Sequence, residues 1–228
     1  MSGSIESYPQ HWEIGPTLSR SWELFKANAG ILIGSVAVIA VASGIFSGIG
    51  QGIQALAQQA GEDAAMAVAG VLSFGIGILS WAVQTFLTLG FVRLMLHVVR
   101  GEPAQFGDLF SGTPVIVTGL VAGLLVGLAT LAGTCLLIVP GIIAALGLMF
   151  VNWVVIDQGL GPVEALKESW RLTSGEKGGL FLWALVMCGV VLVGVLACCV
   201  GVLVAGPVVG LGTTIIYDNL LRLKPRAG

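Results

Sequence analysis

Long apolar runs alternate with short polar segments along the chain, and the polar segments differ in charge. The runs begin near Asn28 and continue through 31–49, then cover 68–99, 114–138, 140–157, 179–200 and 202–221. Each core is close to the ~20 residues that cross a bilayer as a helix. Helix also satisfies every backbone polar group without water. The pattern predicts an all-α integral membrane protein with six transmembrane helices in three hairpins. The ten basic residues are Arg20, Lys26, Arg93, Arg100, Lys167, Arg171, Lys177, Arg222, Lys224 and Arg226. None lies at a tip within a hairpin. Basic residues near span ends stay in the cytoplasm, so both termini are expected inside. By this reading 1–27 is a cytoplasmic tail with a first amphipathic helix, 28–221 the membrane domain and 222–228 a short basic tail.

The second and third tips, around Val139-Pro140-Gly141 and 201–207, hold no charge and turn on Pro and Gly. The first tip carries Gln51, Gln54, Gln58, Gln59, Glu62 and Asp63. Its legs exceed thirty residues, or ~50 Å at 1.5 Å per residue, more than a ~30 Å hydrocarbon core. The expectation is a Gln-bearing helical extension projecting outward.

A weak internal repeat accompanies the hairpins. Leu18-Ser19-Arg20-Ser21-Trp22-Glu23-Leu24 is similar to Leu166-Lys167-Glu168-Ser169-Trp170-Arg171-Leu172, and Asp108-Leu109-Phe110 to Glu23-Leu24-Phe25. The unit reads as a short amphipathic helix followed by two spans. Leu18, Trp22 and Phe25 share one helical face. Val163, Leu166 and Trp170 share another, opposite Glu164, Lys167, Glu168 and Arg171. Such faces suit the membrane interface, with Trp22, Phe110 and Trp170 as anchors; packing against the bundle's own spans is the other reading.

Composition sharpens the class. The chain is 56% hydrophobic and 10% charged, with mean hydropathy +0.99, too little polar surface for a water-soluble globule. A net charge of −2 gives no reason to expect nucleic acid. The 34 glycines sit largely inside apolar runs, where small residues let helices approach closely; Gly119, Gly123 and Gly127 line one face. The start of the chain lacks the pattern of a cleaved signal peptide.

The stretch Ile138-Val139-Pro140-Gly141-Ile142, then Asp157, Gly161-Pro162, Ala165-Leu166, Ser169-Trp170 and Thr173-Ser174-Gly175 carries a resemblance. With Arg100-Gly101-Glu102-Pro103 before Asp108-Leu109-Phe110, it resembles the membrane domain of bacterial glycerophosphoryl diester phosphodiesterases and related six-span proteins. The resemblance implies the membrane module only. The phosphodiesterase chemistry of the fused proteins belongs to a separate soluble domain, so no catalytic residue carries over.

The candidate chemistry is sparse. His11 and His97 are the only histidines, too few for an expected metal site. Cys135, Cys188, Cys198 and Cys199 form no Cys-x-x-Cys; a link from Cys135 to Cys198 or Cys199 would join the second and third hairpins. No nucleophile or phosphate-loop motif occurs. The polar residues within spans are the main leads: Arg93, Gln84, Asn152, Asp157 and Asp218. Arg93 is expected to pair with Asp157 or Asp218, or to reach the headgroups.

The expected function is a non-enzymatic module of a bacterial inner membrane, without cofactor, that binds lipids or a partner protein through the interfacial helices or first hairpin. A lipid or small-molecule transporter would instead need a polar cavity near Gln84, Asn152 and Thr213. A lipid-modifying enzyme would need Asp157, Asp218 and His97 together.

Overall fold

The computed structural model describes residues 12–61, 63–136, 138–196 and 200–225. These residues are helical almost throughout, with no strand among them. The helices are α1 (Ile14–Ala60), α2 (Asp63–Arg100), α3 (Ile116–Leu136), α4 (Ile138–Gly147), α5 (Val151–Gln158), α6 (Pro162–Thr173), α7 (Lys177–Leu196) and α8 (Val200–Leu223). Short 3₁₀ turns at Phe106–Phe110 and Thr113–Val115 lead into α3. Among the described residues, six helical segments are long and apolar enough to cross a membrane, the character of a multi-pass membrane protein. His11, Glu62, Cys198, Cys199 and Arg226 lie outside the described residues, and with them the expected cysteine link; Cys135 and Cys188 are free thiols.

The first polar segment and the first span form one 47-residue helix, kinked at Asn28 (φ −124°, ψ 20°). At the kink the Asn28 side chain donates to Leu24 O at 3.0 Å. Gly61 ends α1 in the left-handed region, at φ 68°, and its N–H bonds Ala57 O at 3.3 Å. The chain then returns as α2. Gln84 bonds Ser43, and Gln54 donates to Ser73 at 3.1 Å, so advance along α1 is retreat along α2.

Relative to α3, the excess length of this pair lies mainly at the Arg100 end rather than at the α1–α2 tip. Gly123 on α3 sits against Trp81 on α2. At 1.5 Å per residue the end of α3 then lies level with about Val68, so the α1–α2 tip overshoots it by only ~8 Å. At the other end Gly112 packs against Phe86, and residues 87–100 of α2 continue past the start of α3. The reason is the connection after Arg100, which folds back along α2. A Cβ on Gly90 would overlap the Leu109 carbonyl, so only glycine admits that return.

The core sits at this same end. Leu87, Leu89, Leu94 and Val98 of α2 are buried, while Met66, Val71, Phe74 and Trp81 are exposed. The central element is α8. Of its apolar stretch 72% is buried, against 6% for that of α2. Small residues make α8 central: Gly210 lies against Met95, and Gly212 lies under the Trp183 ring. Its Thr213 and Thr214 hydroxyls donate to carbonyls one turn back at 2.9 and 2.8 Å, so polar side chains enter the core satisfied.

The fourth span is broken between α4 and α5, at 148–150. Ser169 and Thr173 of α6 donate to the released Gly147 carbonyl at 2.9 and 3.2 Å, and Phe150 N–H donates to Ser169 Oγ at 3.2 Å. Helix α6 therefore closes the break by seating its own buried face there. The three short segments before the hairpins are not alike. The first is continuous with its span, the second is a five-residue 3₁₀ turn and the third is the twelve-residue α6.

Candidate functional site

Helices α2, α5 and α8 all bring a charged residue to the same end. Arg100 occupies the last turn of α2, where a cation complements the helix dipole; Gly101 follows at φ 74°. Asp157 lies in the last turn of α5, before Gly159 at φ 61°. A carboxylate at a helix C-terminus is unfavourable by itself, and Arg100 offsets it with two parallel bonds. Nη1 donates to Asp157 Oδ1 at 2.5 Å and Nη2 to Oδ2 at 2.9 Å. The third edge of the guanidinium is used too, Nε donating to Asp218 Oδ1 at 3.2 Å.

Both carboxylates take further donors. Tyr217 Oη donates to Asp157 Oδ2 at 3.0 Å and accepts from Gln158 Nε2 at 3.2 Å. Arg222 Nε donates to Asp218 Oδ2 at 2.9 Å. Side-chain exposure is 27% for Arg100, 12% for Asp157 and 6% for Asp218. Carboxylates so withdrawn from water are stable only when paired. The arrangement is a three-helix ionic clamp in which all three guanidinium nitrogens of Arg100 donate to a carboxylate.

A second polar group joins α6 to the end of α8. Lys224 Nζ donates to the Leu172 and Ser174 carbonyls at 2.9 and 2.5 Å, capping the end of α6. Arg171 donates to Lys224 O at 2.8 Å and to both oxygens of Glu168. The hydrogen bonds to Glu168 hold the Arg171 guanidinium above its ordinary value. Lys177 Nζ lies 3.8 Å over the Trp170 ring.

Several expected placements change. Arg93 reaches neither acid; its Nη1 donates to Ser111 O at 3.2 Å, on the stretch of chain that folds back along α2. Arg100 makes the pairing expected of it. Glu168, expected on the charged face of α6, is buried and takes two hydrogen bonds from Arg171. Gln84 belongs to the α1–α2 seam through Ser43, Asn152 is half-buried on α5, and Thr213 accepts from Trp183 Nε1 at 3.3 Å. These three do not converge. His97 Nδ1 lies 3.0 Å from Asp108 Oδ2, and its Nε2 lies 3.6 Å from Glu102, so His97 does not join Asp157 and Asp218. Trp22, Phe110 and Trp170 are exposed at 46%, 48% and 41%, on the outside of the bundle. The residues missed from sequence are Arg100 as the clamp centre and Tyr217; both stand next to singled-out features, Gly101-Glu102-Pro103 and Asp218.

No family model matches the chain. It is similar to an uncharacterized protein of Mycobacterium tuberculosis, 28% identical over 232 residues that cover 93% of this chain and 71% of that protein. A protein of Mycobacterium bovis, also uncharacterized, matches with the same identity and coverage. No solved structure matches.

The clamp predicts a specific cost for a conservative change. Arg100→Lys keeps the charge but supplies a point cation in place of a three-edged fork. Unfolding in a detergent titration should show a loss of about 2 kcal/mol; stability equal to wild type would remove the clamp's geometric role.

Proposed function

We propose that this chain is a non-enzymatic, multi-pass module of a bacterial inner membrane that binds membrane lipids. The observation that carries the reading is an apolar groove of about 560 Å³, open sideways between the start of α1, α7 and α8. Trp22, Val190, Val193, Val204 and Val208 are among its walls, and Gly194 and Gly201 lie along it. A groove this apolar on the flank of a membrane bundle suits an acyl chain, with Trp22 at its rim. The clamp supports a structural role for the charged end, because Arg100, Asp157 and Asp218 already satisfy one another. Val139-Pro140-Gly141-Ile142, which lie in the first turns of α4, and Gly161-Pro162, which lead into α6, are the residues that carry the membrane-module resemblance. The exposed Trp22, Phe110 and Trp170 would anchor the three short segments at the interface.

Native mass spectrometry of the protein released from mild detergent tests the lipid reading. The expected result is one lipid retained per chain, reduced in Val193→Trp, which fills the groove. A stoichiometric protein partner with no lipid would replace it with a scaffolding role.

In this reading both termini face the cytoplasm, supported by the basic residues gathered at the clamp end. Gln59 is exposed in the last turn of α1, beside the tip of the first hairpin. With the four native cysteines changed to alanine, Gln59→Cys should react with a membrane-impermeant maleimide added outside intact cells. Labelling only after permeabilisation would reverse the orientation.

A further inference from the structure

The half of the α1–α2 pair nearer its tip carries a second groove, which sets serines and glutamines among apolar residues such as Phe46 and Ile76 and is more polar than the first. It has a volume of about 640 Å³ and is lined by Ser43, Ser47, Gln51, Gln54, Gln58 and Ser73 among others. No side chain in its lining is charged. Ser43, Ser47 and Gln51 follow one another at four-residue steps, so they share a face of α1. From Ser43 to Gln58 the seam runs ~22 Å at 1.5 Å per residue. Apolar residues stand exposed on the same helices: Ile45, Ile49 and Leu56 on α1, Phe74 and Ile78 on α2.

Two contacts across the seam hold the helices together, Gln84 with Ser43 and Gln54 with Ser73. Ser47, Gln51 and Gln58 are exposed beside them, and Gln51 donates to Ser47 Oγ at 2.9 Å. Carboxamides facing hydrocarbon are costly unless a polar group covers them.

We infer that this seam binds the uncharged, polyhydroxylated headgroup of a membrane lipid, with its acyl chains along the flanking apolar residues. This rests on the lipid-binding reading above and names the headgroup class. Serine hydroxyls and glutamine carboxamides both donate and accept, which matches sugar or polyol hydroxyls. Among the described residues, the lining offers no cation for a phosphate and no anion for an amine. The lipid enters sideways, since the seam opens along the flank of the pair.

The test uses the full chain, delipidated in detergent and titrated with monogalactosyl diacylglycerol, diacylglycerol or phosphatidylglycerol, read by native mass spectrometry. Wild type should prefer the galactolipid over both others. Gln51→Leu with Gln58→Leu spares the two contacts that hold the helices and should weaken galactolipid binding about tenfold, the loss of one to two hydrogen bonds. Diacylglycerol binding should not change. Gln59→Leu, outside the lining, should behave as wild type, and circular dichroism with a thermal midpoint confirms that each variant is folded. Equal binding of the three lipids, or equal loss in Gln59→Leu, overturns the headgroup site while leaving lipid binding intact. A dimer that dissociates in the double variant assigns the seam to a second copy and overturns the proposal. Retention of no lipid by wild type overturns both readings.

Discussion

Arg100 determines how the charged end of this protein is assembled. One guanidinium grips Asp157 with two bonds and Asp218 with a third. The chain positions it brings together are 57 and 118 residues away. No contact within a single hairpin can set the relation between α2, α5 and α8, and in lipid there is little hydrophobic drive to set it either. A directional, multiply bonded ion group supplies what apolar packing cannot.

The rest of the structure follows from where that group sits. The buried part of α2 is the part nearest Arg100, and the exposed part is the farthest from it. Helix α8 is central because it carries both Asp218 and the small and hydroxylated residues that let Met95 and Trp183 close on it. The broken fourth span ends at Asp157, and α6 turns back over the break to satisfy Gly147 O. Away from this end the helices have fewer obligations to one another. There the half of the α1–α2 pair nearer its tip stands with exposed flanks and a seam of serines and glutamines.

The spans are legible in the sequence because their signal is local: about twenty apolar residues suffice. The start of the first run near Asn28 is legible for the same reason, whereas the continuity of α1 through a kink at that residue is seen only in the structure. The break at 148–150 is not legible, since Leu146 to Phe150 is apolar throughout and the hydrogen bonds that permit the break come from Ser169 and Thr173. Depth along α2 favours Arg93 over Arg100 as the partner of the acids. What decides otherwise is the return of residues 101–112, whose Ser111 carbonyl takes Arg93. A helical wheel places Glu168 with its charged neighbours, and its burial appears only when α6 is set against the rest of the bundle. The glutamines of the first hairpin are visible as a group. The serines that complete the seam are scattered among apolar residues and acquire meaning only when α1 and α2 are set side by side.

The most direct test of this account is a double-mutant cycle between Arg100 and Asp157, using Arg100→Leu, Asp157→Leu and the pair, with unfolding free energies from detergent titration. Each single change leaves a withdrawn charge short of a partner and should cost about 3 kcal/mol. The double variant should recover part of that, giving a coupling energy of about 2 kcal/mol. Additive losses, with coupling within about 0.5 kcal/mol of zero, would contradict the claim that this ion group joins the helices.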